Sequence, residues 1–203
     1  MKLATVAALA LAARQAAGYS FSDSMATTTS ASTSALRTTE DGETYCGGSL
    51  VASQYVVTAA HCVKDSDMYA SIGSRYGSGS AEGERIKVAT GYVHPQYNKS
   101  AHLYDVGILK LETASTNGTE ASTLQEVNVR IVSNADCNKD YSGRITDGML
   151  CAGEGGGKDS CNGDSGGPLM ENDKLIGLVS WGGVCGEAAG VYTRVSYVLD
   201  YIN

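Results

Sequence analysis

Residues Asp159 to Pro168 read DSCNGDSGGP, one serine set among glycines, between two acidic residues and beside a cysteine. Within it, Gly163-Asp164-Ser165-Gly166-Gly167 satisfies G-x-S-x-G, a weak pattern alone because glycines gather at any tight turn. Small neighbours have a physical use if Ser165 is a nucleophile. They admit a substrate carbonyl to the hydroxyl and leave backbone N–H groups facing the oxyanion that develops. A serine used this way needs an imidazole to take its proton and a carboxylate to orient that imidazole.

Chain order decides which arrangement is open. An α/β-hydrolase places its histidine after the serine, whereas His61, His94 and His102 all precede Ser165. The subtilisin order needs an aspartate ahead of the histidine, and only Asp23 and Asp41 stand there, both in a polar stretch. The order His, Asp, Ser remains. His61 lies in TAAHC, next to Cys62, where a disulfide would hold the ring in place. A lone histidine beside an apolar run is more often structural. Asp105 opens the apolar run DVGILKL; a turn cap is its plain reading. Burying a carboxylate costs several kcal/mol unless it is paired, so an imidazole N–H would account for its position.

Bulk properties narrow the setting. Met1 to Gly18, MKLATVAALALAARQAAG, has a basic start, an apolar middle and a small-residue end, the layout of a signal peptide for export. No later stretch is apolar for the roughly 20 residues that a membrane-spanning helix needs. The six cysteines, Cys46, Cys62, Cys137, Cys151, Cys161 and Cys185, suit three disulfides in an oxidising compartment, with every pairing still open. Zinc is the competing use, but no C-x2-C pair is present, and no metal or cofactor is expected. Asn98-Lys99-Ser100 and Asn117-Gly118-Thr119 are glycosylation acceptors. A formal net charge of −7 offers no basic stripe for nucleic acid.

Residues 19–44 are rich in Ser, Thr and Ala and read as a disordered arm ahead of a domain spanning 45–203. Within that domain, short β-branched runs separated by polar turns predict strands: SLVASQYVVTAAHC, ERIKVATGYV, DVGILKLE, LQEVNVRIVS, GGPLMENDKLIGLVSWG and GVYTRV. Glu171-Asn172-Asp173 supplies hairpin chemistry inside the fifth run. SYVLDYIN, 196–203, predicts one terminal helix.

TAAHC, DVGILKL, DSCNGDSGGP, SWGG and GVYTRV, in this order, resemble the trypsin-like serine endopeptidases of the chymotrypsin fold. The resemblance runs from Cys46 to the C-terminus. It implies an all-β fold of two antiparallel barrels with a short C-terminal helix, and a secreted monomer that acts on proteins or peptides. His61 would be the general base, Asp105 its orienting carboxylate and Ser165 the nucleophile, with the N–H groups of Gly163 and Ser165 as oxyanion hole. Asp159 matches the acid that selects Arg or Lys, Ser160 would hydrogen-bond the same cation, and Gly182 and Gly190 would keep the slot open. Ser180, Trp181 and Gly182 would run beside the substrate backbone. The implied disulfides are Cys46–Cys62, Cys137–Cys151 and Cys161–Cys185.

Two departures stand against this pattern. Family members are cut before an Ile-Val-Gly-Gly type sequence whose new α-amino group pairs with the aspartate matching Asp164, and no such sequence is present. Cleavage after Arg37 would expose Thr38, too close to Cys46 to reach. After Glu112-Thr113-Ala114-Ser115 the chain skips the strands that link the barrels, so both barrels are expected to be incomplete, with exposed edges. Val184, where glycine is usual, and a short Cys185 to Gly190 loop would narrow the slot. Three accounts follow: an active protease for Arg or Lys sites, an inactive homologue binding host hydrolases or other proteins, and coding sequence skipped at both gaps.

Overall fold

The computed structural model describes residues 3–7, 32–74, 78–79, 83–115, 126–153 and 157–203. Their strands close into two six-stranded barrels. The first holds β2 (Ser32–Arg37), β3 (Thr44–Ala52), β4 (Tyr55–Thr58), β5 (Tyr69–Ile72), β6 (Glu84–Val93) and β7 (Gly107–Leu111), in the order β2-β3-β4-β7-β6-β5. The second holds β1 (Leu3–Ala7), β8 (Glu126–Val132), β9 (Met149–Ala152), β10 (Pro168–Glu171), β11 (Lys174–Trp181) and β12 (Gly190–Arg194), in the order β1-β10-β11-β12-β9-β8. Each predicted apolar run contributes strand. Asn172 and Asp173 both take positive φ, 50° and 60°, between β10 and β11, the backbone that a two-residue hairpin turn needs.

Three expectations are corrected. The barrels are closed, not incomplete. The segment read as a disordered arm supplies β2, with Thr33 to Arg37 buried and paired to β3 and β5. Backbone pairing on both sides holds the strand, and Leu36 packs into the first barrel's core. Leu3–Ala7, inside the stretch read as a leader, pairs with β8 and β10 and removes the two edges that the internal gap would leave bare. Arg37 is buried, with Nη1 donating to the Gly79 carbonyl at 2.7 Å, so it is no exposed cleavage point. Residues 19–31 and Asn117 lie outside the described residues.

One helix was missed. α1 (Asn134–Tyr141) starts at Ser133, whose Oγ accepts from the Asp136 N–H at 3.0 Å and donates to the Asp136 carboxylate at 2.7 Å. Ser-x-x-Asp is a capping signal and could have marked it. At the C-terminus a 3-10 turn, Val195–Tyr197, leads into α2 (Leu199–Ile202), shorter than the predicted helix.

Each barrel has its own core. Leu36, Val56, Ile72, Leu109 and Leu111 fill the first, and Val129, Leu150, Leu169 and Tyr192 the second. Val57, Val106 and Ile108 of the first barrel's side meet Leu178, Val195, Val198 and Ile202 of the second's. Each large apolar side chain contributes about 1.5–3 kcal/mol on burial, so this third cluster holds the barrels in fixed relation. His94 anchors its rim. The buried ring stacks on Tyr104 at 4.7 Å and leans on Tyr201 at 4.6 Å, while Nδ1 accepts from the Gln96 N–H.

Two predictions follow from this packing. A chain beginning at Tyr19 leaves β8 and β10 each with an open edge; it will melt at a lower temperature and less cooperatively than the full chain, and equal melts would show that the barrel does not need β1. Burial pushes the His94 pKa down, so its stabilising contribution is full above the unfolded value of about 6.5 and is lost as pH falls through the lower folded value. Urea midpoints at about pH 7.5 and 4.5 will show that loss, and His94→Gln will reduce it.

Candidate active site

His61 sits in a 3-10 turn, Ala60–Cys62, directly after β4. The Cys46–Cys62 disulfide ties that turn to β3, as the resemblance implied, and the other two disulfides also form as Cys137–Cys151 and Cys161–Cys185. Each constrains the unfolded chain by about 3 kcal/mol for loops of this size. Asp105 precedes β7 and is completely buried. Its Oδ2 is 2.8 Å from His61 Nδ1 and its Oδ1 accepts the His61 backbone N–H at 3.0 Å. Accepting at Nδ1–H leaves the other ring nitrogen, Nε2, as the basic one.

Two further contacts on Asp105 come from the second barrel. Ser180 in β11 donates its hydroxyl to Oδ2 at 2.5 Å, and Thr193 in β12 donates to the Asp105 carbonyl at 2.9 Å. The sequence reading placed Ser180 beside the substrate backbone and missed this bond. A hydroxyl two positions before Gly182 carries no mark of the carboxylate it meets, because the two lie in different barrels.

The Ser165 loop docks on the first barrel. Gly47 N–H donates to the Ser165 carbonyl at 2.7 Å, and Cys62 Sγ lies 3.5 Å from the same oxygen. Gly166 has φ +78°, and a Cβ there would stand 2.1 Å from Thr58 Oγ1 and 2.6 Å from the Gly47 carbonyl oxygen. Only glycine fits that close approach. Neither the Gly163 nor the Ser165 N–H is used by another described residue, and the Ser165 hydroxyl makes no hydrogen bond with the His61 ring. Bonds of this kind are often long in unliganded enzymes and tighten when substrate is bound. Asp164 is buried and accepts the Cys161 N–H at 2.8 Å.

Beside Ser165 opens a slot of about 260 Å³, lined by Asp159, Ser160, Ser180, Trp181, Gly182 and Gly190 among others. Asp159 Oδ2 accepts the Gly186 N–H at 3.1 Å, while Oδ1 is buried with no hydrogen-bond partner among the described residues. Burial raises the Asp159 pKa, opposed in part by backbone N–H groups. Ser160 accepts from the Tyr192 hydroxyl at 3.1 Å and keeps its own proton to donate. A Cβ on Gly190 would stand 2.7 Å from Asp159 Oδ1, whereas one on Gly182 meets nothing nearer than 3.8 Å. Val184 is exposed at the rim. A larger groove of about 360 Å³, lined by Ile131, Leu150, Leu175 and Leu199, contains none of the three residues of the His, Asp, Ser order. Cys46, His61 and Cys62 lie close together, but the two sulfurs are bonded to each other and are not metal ligands.

The two barrels and the site residues between them define the chymotrypsin-type fold. The family model described as Trypsin matches residues 22–121 and 113–202, and the chain belongs to the trypsin family. The two matched pieces meet at 113–121, where the sequence reading finds the internal gap. Glucanase inhibitor protein 3 of Phytophthora infestans is 34% identical over 212 residues, covering 84% of this chain and 81% of that protein. Trypsin 5G1 of Aedes aegypti is 37% identical over 200 residues, covering 78% and 74%. Trypsin I-P1 of Gallus gallus is 34% identical over 199 residues, covering 80% and 79%.

Gly190→Ala will set a methyl group against Asp159 Oδ1 and Ser160 Oγ, lowering the melting temperature by the cost of overpacking, about 1–3 kcal/mol, and weakening the binding of an aryl amidine measured by calorimetry. The slot is anionic only above the raised Asp159 pKa. Amidine binding followed by calorimetry will therefore fall with decreasing pH at a higher pH than the ordinary carboxylate value of about 3.9.

Proposed function

We propose that the chain is a secreted serine endopeptidase that cleaves after Arg or Lys. The observation that carries this reading is the buried Asp159 Oδ1, without a hydrogen-bond partner among the described residues, at the foot of a slot beside Ser165. A half-satisfied carboxylate in a cavity favours a cationic side chain that completes its hydrogen bonding. The peptide carbonyl following that side chain then lies against the Ser165 hydroxyl.

Catalysis uses the groups already held in place. Ser165 Oγ attacks the carbonyl carbon as His61 Nε2 takes its proton, and Asp105 stabilises the imidazolium through Nδ1–H. The N–H groups of Gly163 and Ser165 hold the oxyanion, at roughly 3–4 kcal/mol per donor in comparable enzymes. Collapse expels the amine with the proton from His61 and leaves an acyl-enzyme. Water, deprotonated by the same ring, releases the acid and restores Ser165. Asp105 is held in position by the Ser180 hydroxyl and the His61 backbone N–H.

Asn98 acts as a glycan acceptor in this reading. Asn98 is exposed, its Oδ1 accepts from Ser100 N–H, Ser100 Oγ and Ala101 N–H, and its Nδ2 has no partner among the described residues. The second reading, a protease homologue that binds and restrains a glycan hydrolase, is favoured by the glucanase inhibitor relatives.

A fluorophosphonate probe and a peptide amide with Arg before the scissile bond separate the two. Labelling and turnover, both lost in Ser165→Ala, are expected. Folded protein that takes neither, yet binds an endoglucanase, supports the second reading and ends the first.

A further inference from the structure

Strands β11 and β12 carry the Asp159 slot at one end, where Trp181 and Gly190 line it, and a groove of about 360 Å³ at the other, where Leu175 and Arg194 do. The two cavities share no lining residue among those described. We propose that the groove binds a free fatty acid, with a single aliphatic chain along its floor and the carboxylate toward Lys174 and Arg194. The site stands whatever the slot beside Ser165 takes.

Several elements converge on the groove: β8 gives Ile131, β9 Leu150, β11 Leu175 and Ile176, the 3-10 turn Val195, and α2 Leu199. Leu150 and Val195 are buried and make the floor, whereas the other four are half-buried. Ile131 and Ile176 pack on the second barrel's core, and Leu175 and Leu199 on the cluster between the barrels. The groove thus lies over the seam of two packed cores, and its walls are backed by close-packed side chains. Its volume is within the range of small-molecule sites, about 300–1,000 Å³. Every apolar lining residue among those described is Ile, Leu or Val, with no aromatic ring to stack on a planar ligand. Branched aliphatic walls suit a flexible alkyl chain, which gains by the area it removes from water.

Lys174 and Arg194 supply the polar end. Arg194 is pinned: Nε donates to the Asp147 carbonyl at 2.9 Å, and Nη2 to the Met149 carbonyl at 2.7 Å and to Asn134 Oδ1 at 3.2 Å. Its Nη1 makes no bond among the described residues, which leaves part of the N–H fork for an incoming oxygen. The Lys174 ammonium is exposed and has no ion pair among the described residues. Glu171 is the one acid among the described lining residues; the hairpin sets it across from Lys174, yet the two form no ion pair. Two cations against one carboxylate, in a chain of net charge −7, make this rim locally positive. That balance selects an anionic head over an alcohol or an ammonium on the same tail, while burial of the tail supplies most of the affinity.

The test uses the full chain and calorimetry with dodecanoate, decanoate, dodecanol and dodecyltrimethylammonium, each below its micellar concentration. Dodecanoate will bind, and decanoate, two methylenes shorter, will bind about tenfold more weakly. Dodecanol will bind about three- to tenfold more weakly than dodecanoate at low salt, and the ammonium more weakly again. Benzamidine at saturation will leave dodecanoate binding unchanged. Lys174→Gln, at an exposed position that folding does not depend on, will cut the preference for acid over alcohol by about twofold or more. Leu175→Asp, checked for folding by its melt, will abolish binding. Absence of dodecanoate binding, equal binding of acid and alcohol, a preference unchanged by Lys174→Gln, or displacement by benzamidine overturns the site. Binding confined to anionic vesicles overturns it in favour of a membrane contact. A dimer in sedimentation that Leu175→Asp dissociates and dodecanoate does not overturns it in favour of an interface between copies of the chain.

Discussion

A carboxylate with no exposed surface lies between two barrels, and the rest of the site is arranged around it. Left alone, buried Asp105 would cost several kcal/mol. The partners of its carboxylate come from both sides: the ring and backbone of His61 from the first barrel, and the Ser180 hydroxyl from the second, while Thr193 of the second barrel bonds the Asp105 backbone carbonyl. Satisfying that charge therefore requires the barrels to dock in one register. The same bonds that neutralise the burial cost orient the imidazole, so stability and chemistry share a single constraint.

The Ser165 loop obeys a related rule of close approach. Gly47 and Gly166 let two backbones meet with no side chain between them, and the Gly47 N–H to Ser165 carbonyl bond closes the contact. The nucleophile is thus held against the barrel that carries its base, while its own strand neighbours belong to the other barrel. Asp159 shows the opposite treatment. One of its oxygens is left unsatisfied at the foot of an open slot, and a group kept in that state is suited to an incoming cation.

Much of this was readable before any coordinates. His61, Asp105 and Ser165 were marked by chain order and by their motifs, and every predicted strand run became strand, because alternation and β-branching report burial on a pleated surface. The errors share one cause. Ser32–Arg37 and Leu3–Ala7 look like a polar arm and a leader by composition, yet each completes a barrel. Ladder hydrogen bonds ask only for backbone, so composition cannot reveal which segment will fill an open edge. Helix α1 was overlooked for a different reason: its weakly apolar sequence hides the amphipathic signal, and only the Ser133 cap announced it.

The motifs named the chemical groups and the family, since those depend on residue type and on order along the chain, and the resemblance they carry implied the three cysteine pairs that the residues themselves left open. Distances within a motif do not say what a hydroxyl from another barrel will touch, which ring will carry a guanidinium, or which oxygen will be left bare. Ser180 on Asp105, Arg144 over Trp181 and the unpaired Asp159 oxygen arise where remote strands pack. Such contacts are set by barrel closure and docking, which no local pattern encodes.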